Sequence, residues 1–573
     1  MIWLTDFSKK LLLTHYCRDN ETIPETFNRA CTCWAAGDTK LRDRLMYYIS
    51  NGWFMFASPL ISNAILKGET PKGMPISCFK SYVDDSIKGL NEHTVETRLL
   101  SVKGGGVGGH WSSVRSQSDV TPGVNGFLHT TDADMVAYRQ GKTRRGAYAA
   151  YLDVSHPEII EFIKMRTPTG DLNRKSLNLH HGVNITDDFL EAVDKGSKWS
   201  LIDPASLKTV EVVDARHLWE EIITTRFRTG EPYINYIDEA NDKLHPALKA
   251  KGLRIWGSNV CNEIHLPTNE DRTAVCCLSS VNLSEYDSWK DTNMVQDLVT
   301  MLDNVLDFFI KYAPDELEKA KYSAMRERSI GIGAMGYSDY LQWNNIPWET
   351  AMALSINKGQ FRTIKELSLD GTRTLADTRG EAPDGIGYGV RNLHLLAIAP
   401  NSNSSIILGC SSSIEPRNSN CYTHKTRVGS HLVKNPILIP VLEKYKKNTD
   451  EVWKSIMNND GSVQHLEFLT DNDKEVFKTA RELDQRWVVD HARVRQEFVC
   501  QGQSVNVFFN SGADKTYVSN VHRRAFSNKG IGVPLKGLYY LHTTSSKKTE
   551  NLSNKIEREA LKDGVDECLG CQG

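Results

Sequence analysis

The 573-residue chain carries 69 Lys and Arg against 71 Asp and Glu, a formal net charge of −2, with 40% hydrophobic and 24% charged residues. This is a globular balance that excludes extended disorder, and the missing basic excess argues against a protein that coats nucleic acid. No run approaches the ~18 apolar residues of a membrane span, and the opening residues lack a basic stretch followed by an apolar one, so neither membrane insertion nor a secretory signal is expected. Twelve cysteines in such a chain read as reduced thiols of a cytoplasmic protein.

Residues 1–55 read as helical, with Phe27, Ala30, Trp34, Ala35, Leu41, Leu45, Tyr48 and Ile49 near the helical period. Residues 56–126 read as loop-rich, and 129–200 as helix, strand, helix, with 167–178 an exposed loop. Residues 217–227 and 294–312 are helix candidates; in the second, Val295, Leu298, Leu302, Val305, Leu306 and Phe309 share a face. Short β-like runs at 177–183, 259–266, 274–281 and 393–399 alternate with helical stretches, which favours an α/β architecture with parallel strands. Residues 545–573 turn polar and read as a flexible tail.

Asn259-Val260-Cys261-Asn262-Glu263 is the most informative stretch. In an extended segment residues i, i+2 and i+4 share a face, which would gather an amide, a thiol and a carboxylate. The thiol can serve as nucleophile, metal ligand or one-electron redox centre, and the carboxylate can move protons. A buried structural Cys between a turn Asn and a surface Glu is the alternative. Cys276 and Cys277 are adjacent, so one at most faces a given site; two core cysteines is the alternative. Five glycines in positions 104–109 let backbone N–H groups approach an anion, or form a flexible loop. Pro400, Asn401, Ser402, Asn403 and Ser404 follow an apolar strand and offer donors for a phosphate, or form a polar turn. Tyr539 and Tyr540 are core packing or a stepwise route for electrons and protons. Cys568 and Cys571 form a CxxC pair, read as redox-active ahead of half a zinc site; no ligand set in the chain completes a metal centre.

Together these pieces resemble the large, catalytic subunit of class I ribonucleoside-diphosphate reductase. The match runs through Ser77-Cys78, Asp85-Ser86-Ile87, Gly106-Val107-Gly108, Ser258 to Glu263, Cys276 to Ser279, Ser329 to Gly333, Pro400 to Ser405, Tyr539-Tyr540 and the terminal CxxC, in the family's order. The resemblance implies a ten-stranded α/β barrel of two five-stranded parallel halves with a central finger loop. It implies a layout of a helical region (1–55), the barrel (56–544) and a redox tail (545–573). The implied activity is radical-based reduction of ribonucleoside diphosphates to 2′-deoxyribonucleoside diphosphates. Cys261 would carry the thiyl radical that abstracts the 3′ hydrogen, Glu263 would take the 3′-hydroxyl proton, and Asn259 would hold the ribose hydroxyls. Cys78 and Cys276 would deliver two electrons and end as a disulfide, re-reduced through Cys568 and Cys571 by thioredoxin or glutaredoxin. Tyr539 and Tyr540 would relay the hole from a dimetal centre on a separate small subunit.

The resemblance further implies substrate contacts at Ser58, Ser77, Gly106 and Pro400 to Ser404. It implies a specificity site for a dNTP or ATP at Asp85, Ser86, Ile87 and Arg115, with 170–176, including Arg174, as the relay loop. The effector loop 115–126 is short, and Cys78 comes too early to leave room for the family's N-terminal ATP-binding regulatory domain. Expected partners are the small subunit, a second copy of the chain, nucleotides and the protein reductant, in the cytoplasm (the host's, if the source is viral), without nucleic acid or membrane. Rival readings are a cobalamin-dependent reductase on the same barrel, a barrel that has lost its chemistry, and a dithiol oxidoreductase built on the CxxC pair.

Overall fold

A computed structural model describes residues 1, 3–138, 146–426 and 429–544. Three helices, Asp6–His15, Ile23–Trp34 and Thr39–Ser50, open the chain, each started by a side-chain cap: Thr5, Thr22 and Asp38. Thr22 and Glu25 cap each other reciprocally. The eight apolar residues picked out by their helical spacing are all buried, and they share one core with the barrel behind them.

Seven strands form the first sheet. In chain order they include β2 (Cys78–Tyr82), β3 (Gly106–His110), β4 (Tyr148–Asp153), β5 (His180–Ile185), β6 (Tyr233–Tyr236) and β7 (Ala274–Cys276), with β1 (Phe54–Phe56) reserved for the other side of the barrel. Strands β2 to β6 are successive parallel neighbours, joined by helices as a parallel sheet requires. Both edges of this five-strand group carry an antiparallel strand: β7 on β2, and a late strand, Gly537–Leu538, on β6.

The opposite wall begins with β8 (Leu278–Asn282), parallel to β9 (Gly331–Met335), with β1 antiparallel on β8. Parallel bridges Ile332–Leu396 and Ile398–Gln503 continue it. Beyond these, β10 (Val507–Phe509) runs parallel to Leu541–Thr543. With β11 as Gly537–Leu538 and β12 as Leu541–Thr543, two of the passages from one wall to the other are each made by a single short segment. One crossing is Cys276-Cys277-Leu278 between β7 and β8; the other is Tyr539-Tyr540 between β11 and β12. The expected α/β barrel of two parallel halves is the observed architecture. Among the described residues no helix is long and apolar enough to cross a membrane.

Several local readings are corrected. The loop-rich stretch 56–126 contains β2, the helix Ile87–Val102 and β3. The glycine run 104–109 is a barrel strand from Gly106 onward, because the wall must leave room for what passes inside it. A Cβ at Gly108 would lie 2.1 Å from the Ser258 carbonyl oxygen; Gly109, on the other face, leaves room for the Tyr148 hydroxyl of the next strand, 1.7 Å from an added Cβ. The run 259–266 is not extended: it turns at 260–262, with Asn262 at φ +60°. The run 274–281 is two strands broken at Cys277, and 393–399 makes only isolated bridges. Helix Met294–Tyr312 forms with the bounds its periodicity indicates, and 217–227 lies within the helix Ala215–Thr229. The tail 545–573 lies outside the described residues.

Gly108→Ala is expected to cost about 2 kcal/mol or more, because its neighbour is backbone that cannot turn aside. Gly359→Ala, in helix Ala351–Arg379 with nothing within 4 Å of its added carbon, is expected to stabilise by about 0.5–1 kcal/mol. Urea unfolding of both variants checks the contrast; a neutral Gly108→Ala would show that the loop does not press on the wall.

Candidate active site

Cys78 begins β2 and stands directly opposite Cys276 of β7 in the antiparallel register. Opposed residues in such a pair bring their Cβ atoms to about 4.5–5.5 Å, near the reach of a disulfide. Successive residues of a strand face opposite ways, and this separates the adjacent cysteines. Cys276 packs with Cys78, Ile264 and Leu266. Cys277 sits in the main core, its thiol 3.6 Å from the Leu302 carbonyl oxygen. All ten described cysteines are unbridged.

The segment after Leu253 enters the barrel and turns back at its tip. Asn262 donates its N–H to the Asn259 carbonyl at 3.2 Å. The Asn259 side-chain oxygen accepts from the backbone N–H groups of Glu263 and Ile264 at 3.0 and 3.1 Å, as a turn asparagine does. Two hydroxyls from the walls hold the tip: Tyr151 donates to the Asn259 carbonyl at 2.6 Å, and Ser504 to the Cys261 carbonyl at 2.5 Å. Asn259, Cys261 and Glu263 are therefore brought together by a turn, not by strand alternation, and all three are at most 1% exposed.

The Cys78 thiol is in hydrogen-bond contact with those of Cys261 and Cys276 and with Asn259 and Ser77. These contacts, Cys261 foremost, draw Cys78 well below the ordinary thiol range against the effect of burial. Burial, then Cys78 itself, pushes Cys276 up. Burial, then Cys78, pushes the Glu263 carboxyl up to about 8. Cys276 approaches Glu263 Oε1 at 3.8 Å. Glu263 Oε2 and Asn259 Nδ2 make no well-formed hydrogen bond within the protein. Buried polar groups are nearly always paired, so two such atoms beside three thiols mark a place where a polar ligand completes the bonding.

Tyr539 and Tyr540 meet next to this loop with ring centroids 4.3 Å apart and their planes tilted by 55°. Tyr233 of β6 lies 4.8 Å from Tyr539 and 5.1 Å from Tyr540. These rings, Tyr151, Val260 and Cys261 form one cluster. The Arg226 guanidinium ties the Tyr539 carbonyl to that of Pro232, at 2.6 and 2.7 Å. Tyr151, Tyr233, Arg226 and Ser504 escaped the sequence reading; a single tyrosine or serine in an apolar strand carries no signal beyond packing.

Asn401, at φ +55°, caps the helix Ser402–Leu408, accepts from Ser280 Oγ at 3.0 Å and donates to the Ala334 carbonyl at 3.1 Å. Ser404 donates to the Phe56 carbonyl at 3.3 Å, which brings this turn beside Ser58 at the end of β1. Pro400 and Asn403 belong to the same turn. Gly106 pairs with Cys78, and Ser77 contacts its thiol. Elsewhere, Arg115 pairs with Asp85 at 2.8 Å, Ser86 caps the helix that begins at Ile87, and Ile87 is 75% exposed. Arg174 is engaged by Glu161 and Glu158 and donates to the Pro122 carbonyl. Cys568 and Cys571 lie outside the described residues.

A raised carboxyl makes stability depend on pH. The folded state keeps the Glu263 proton up to about pH 8, whereas an unfolded Glu releases it near 4.3, so stability falls as pH rises through that window, by at most about 1.4 kcal/mol per pH unit. Glu263→Gln is expected to flatten this part of the profile, measured as urea unfolding at pH 5 and pH 8. An identical slope in the variant would place the proton elsewhere.

The barrel-domain model of ribonucleotide reductase matches residues 76–384 and 383–541. A Frog virus 3 protein described as a ribonucleoside-diphosphate reductase large subunit is 53% identical over 543 residues, covering 94% of each chain. The large subunit of Invertebrate iridescent virus 3 is 39% identical, covering 94% of this chain and 95% of its own. The alpha subunit of the class Id ribonucleotide reductase of Actinobacillus ureae superposes with a TM-score of 0.83 at 33% identity, over 95% of this chain and 98% of that one. With a matching barrel, a loop of Asn, Cys and Glu inside it and a facing thiol pair, the chain belongs to the ribonucleotide reductase family, as a large subunit.

Proposed function

We propose that this chain reduces ribonucleoside diphosphates to 2′-deoxyribonucleoside diphosphates by radical chemistry held inside the barrel. The observation that carries the reading is the burial of Asn259, Cys261 and Glu263 on one turn, facing Cys78 and Cys276. A ribose 2′-hydroxyl leaves only when the neighbouring carbon is activated, and a sealed site protects the reactive species from water. A thiyl at Cys261 takes the 3′ hydrogen atom and becomes a thiol. Glu263 in its ionised form, whose share grows as pH approaches about 8, takes the 3′-hydroxyl proton. The 2′-hydroxyl leaves as water with a proton from the Cys78–Cys276 pair. That pair supplies two electrons, places its second hydrogen on C2′ and closes to a disulfide; Glu263 returns its proton to the 3′ oxygen, and the 3′ hydrogen atom returns from Cys261, which is a thiyl again. Asn259 binds the ribose hydroxyls through the amide that has no well-formed bond within the protein.

The helix start at Asn401 to Ser404, beside Ser58, suits the diphosphate, with Ser77 and Gly106 next to Cys78. Asp85, Ser86, Ile87 and Arg115 suit a deoxynucleoside triphosphate effector, with Arg174 on the relay loop. Tyr539 and Tyr540 are close enough to each other for stepwise hole transfer toward Cys261. The partner small subunit's dimetal centre supplies the one-electron oxidant. A groove of about 720 Å³ between the helices Ala215–Thr229 and Lys515–Ala525 is lined by apolar Trp219, Ile223 and Val518 with Arg216 and Arg523. It flanks the crossing that carries the tyrosines and offers that partner a docking surface. Cys568 and Cys571 would carry electrons from thioredoxin or glutaredoxin to the buried pair by disulfide exchange. A homodimer completes the assembly.

The test is CDP reduction by this chain with a candidate small subunit and dithiothreitol. Cys261→Ser is expected to reduce turnover to background while the melting curve is retained. After one turnover without reductant, peptide mapping should find Cys78 joined to Cys276 and Cys277 still alkylatable. Appreciable deoxynucleotide from Cys261→Ser, or a Cys78–Cys277 link, would overturn these assignments.

A further inference from the structure

Residue 231 follows the helix Ala215–Thr229, and its carboxylate is 1% exposed. Four nitrogens of three residues converge on it. His180 Nδ1 lies 2.7 Å from Oε1. His181 presents both Nδ1, at 3.1 Å, and its backbone N–H, at 3.2 Å, to Oε2. The Arg166 guanidinium pairs with Oε1. Burial alone would raise this carboxyl, but Arg166 and His180 override it and hold Glu231 well below the usual range. A carboxylate can only accept, so the His180 nitrogen beside it carries the ring proton.

That same nitrogen lies 3.1 Å from the Tyr540 hydroxyl. The His180 ring also lies flat against Tyr233, 6.2 Å away at 18°, and edge-on to Tyr540 at 6.1 Å. His542 flanks Tyr540 from the other side at 5.9 Å. We propose that the buried pair Glu231–His180 positions Tyr540: Glu231 fixes the tautomer and angle of the imidazole, and the single Nδ1 hydrogen, shared between the carboxylate at 2.7 Å and the phenol at 3.1 Å, holds the Tyr540 oxygen. The inference rests on the reading of Tyr540 as a relay residue and adds the groups that set its hydrogen bonding. A phenol oxygen that accepts from an N–H keeps its own hydrogen turned away from the imidazole. The bond favours phenolate over phenol and fixes the ring at the seam that Tyr539 shares with Cys261. His180 and Glu231 are positioning residues, because neither touches the ribose.

The charged and titratable groups facing Tyr540 are Arg166, Glu231, His180, Tyr233, Tyr539 and His542, so the test reads the phenol itself. In the full chain, 3-nitrotyrosine is placed at position 540 and its ionisation is followed by absorbance, with no turnover required. His180→Leu is expected to raise that pKa by about one pH unit, the scale of one hydrogen bond. His180→Gln, whose amide N–H still donates, is expected to recover at least half of the shift. With the small subunit present, His180→Leu should lower kcat about tenfold at unchanged KM for CDP, and His180→Gln should restore most of it. An unshifted titration at 540, or an equal shift with the probe at 539, overturns the proposal. A Tyr540→Phe enzyme that still turns over would instead sink the relay and leave the titration result standing.

Discussion

Everything in this site depends on a loop being able to lie between the two walls of the barrel. Barrel interiors are ordinarily filled by side chains of the strands themselves, and here the strands give way. Gly108 leaves the space that the Ser258 carbonyl occupies, and Gly537 leaves room for the Asn262 amide, which would sit 2.5 Å from an added Cβ. Wall hydroxyls from Tyr151 and Ser504 then pin the tip by its carbonyls. Two carbonyls of the tip are thereby bonded although no sheet or helix contains them, which is what burying irregular chain requires.

The two crossings between the walls explain where the chemistry sits. At one, Cys276 closes the first sheet against Cys78, and one residue on, Cys277 faces the other core. At the other, Tyr539 and Tyr540 bridge β11 and β12. A strand that changes sheets must break its own ladder, so residues there are positioned by tertiary contacts instead of by pairing. That makes a crossing a place where a thiol or a phenol can point inward without being part of a packed layer.

Two glutamates show how the surroundings assign roles to one side chain. Glu263 and Glu231 are equally buried, each about 1% exposed. Glu263 has thiols and amides about it, and burial drives it up to about 8. Glu231 has a guanidinium and two imidazoles, which hold it well below the ordinary carboxyl range. The first exchanges protons near neutral pH; the second is a fixed charge that orients its neighbours.

Local pattern determined much of this protein. The helical spacing of Phe27, Trp34, Leu41 and Leu45, and the apolar face of Met294–Tyr312, dictate elements whose contacts repeat every turn. The Asn259 to Glu263 cluster, Cys78, Cys276 and the paired tyrosines were legible because their residue types and order carry the family's chemistry. The tertiary structure alone decided why a glycine run is a strand, and that a turn, not an extended segment, gathers the site. It alone brought His180 to Tyr540, across 360 residues of sequence. Contacts of that span leave no period in the chain, because a partner's identity is set by how two walls meet, and no local sequence records that meeting.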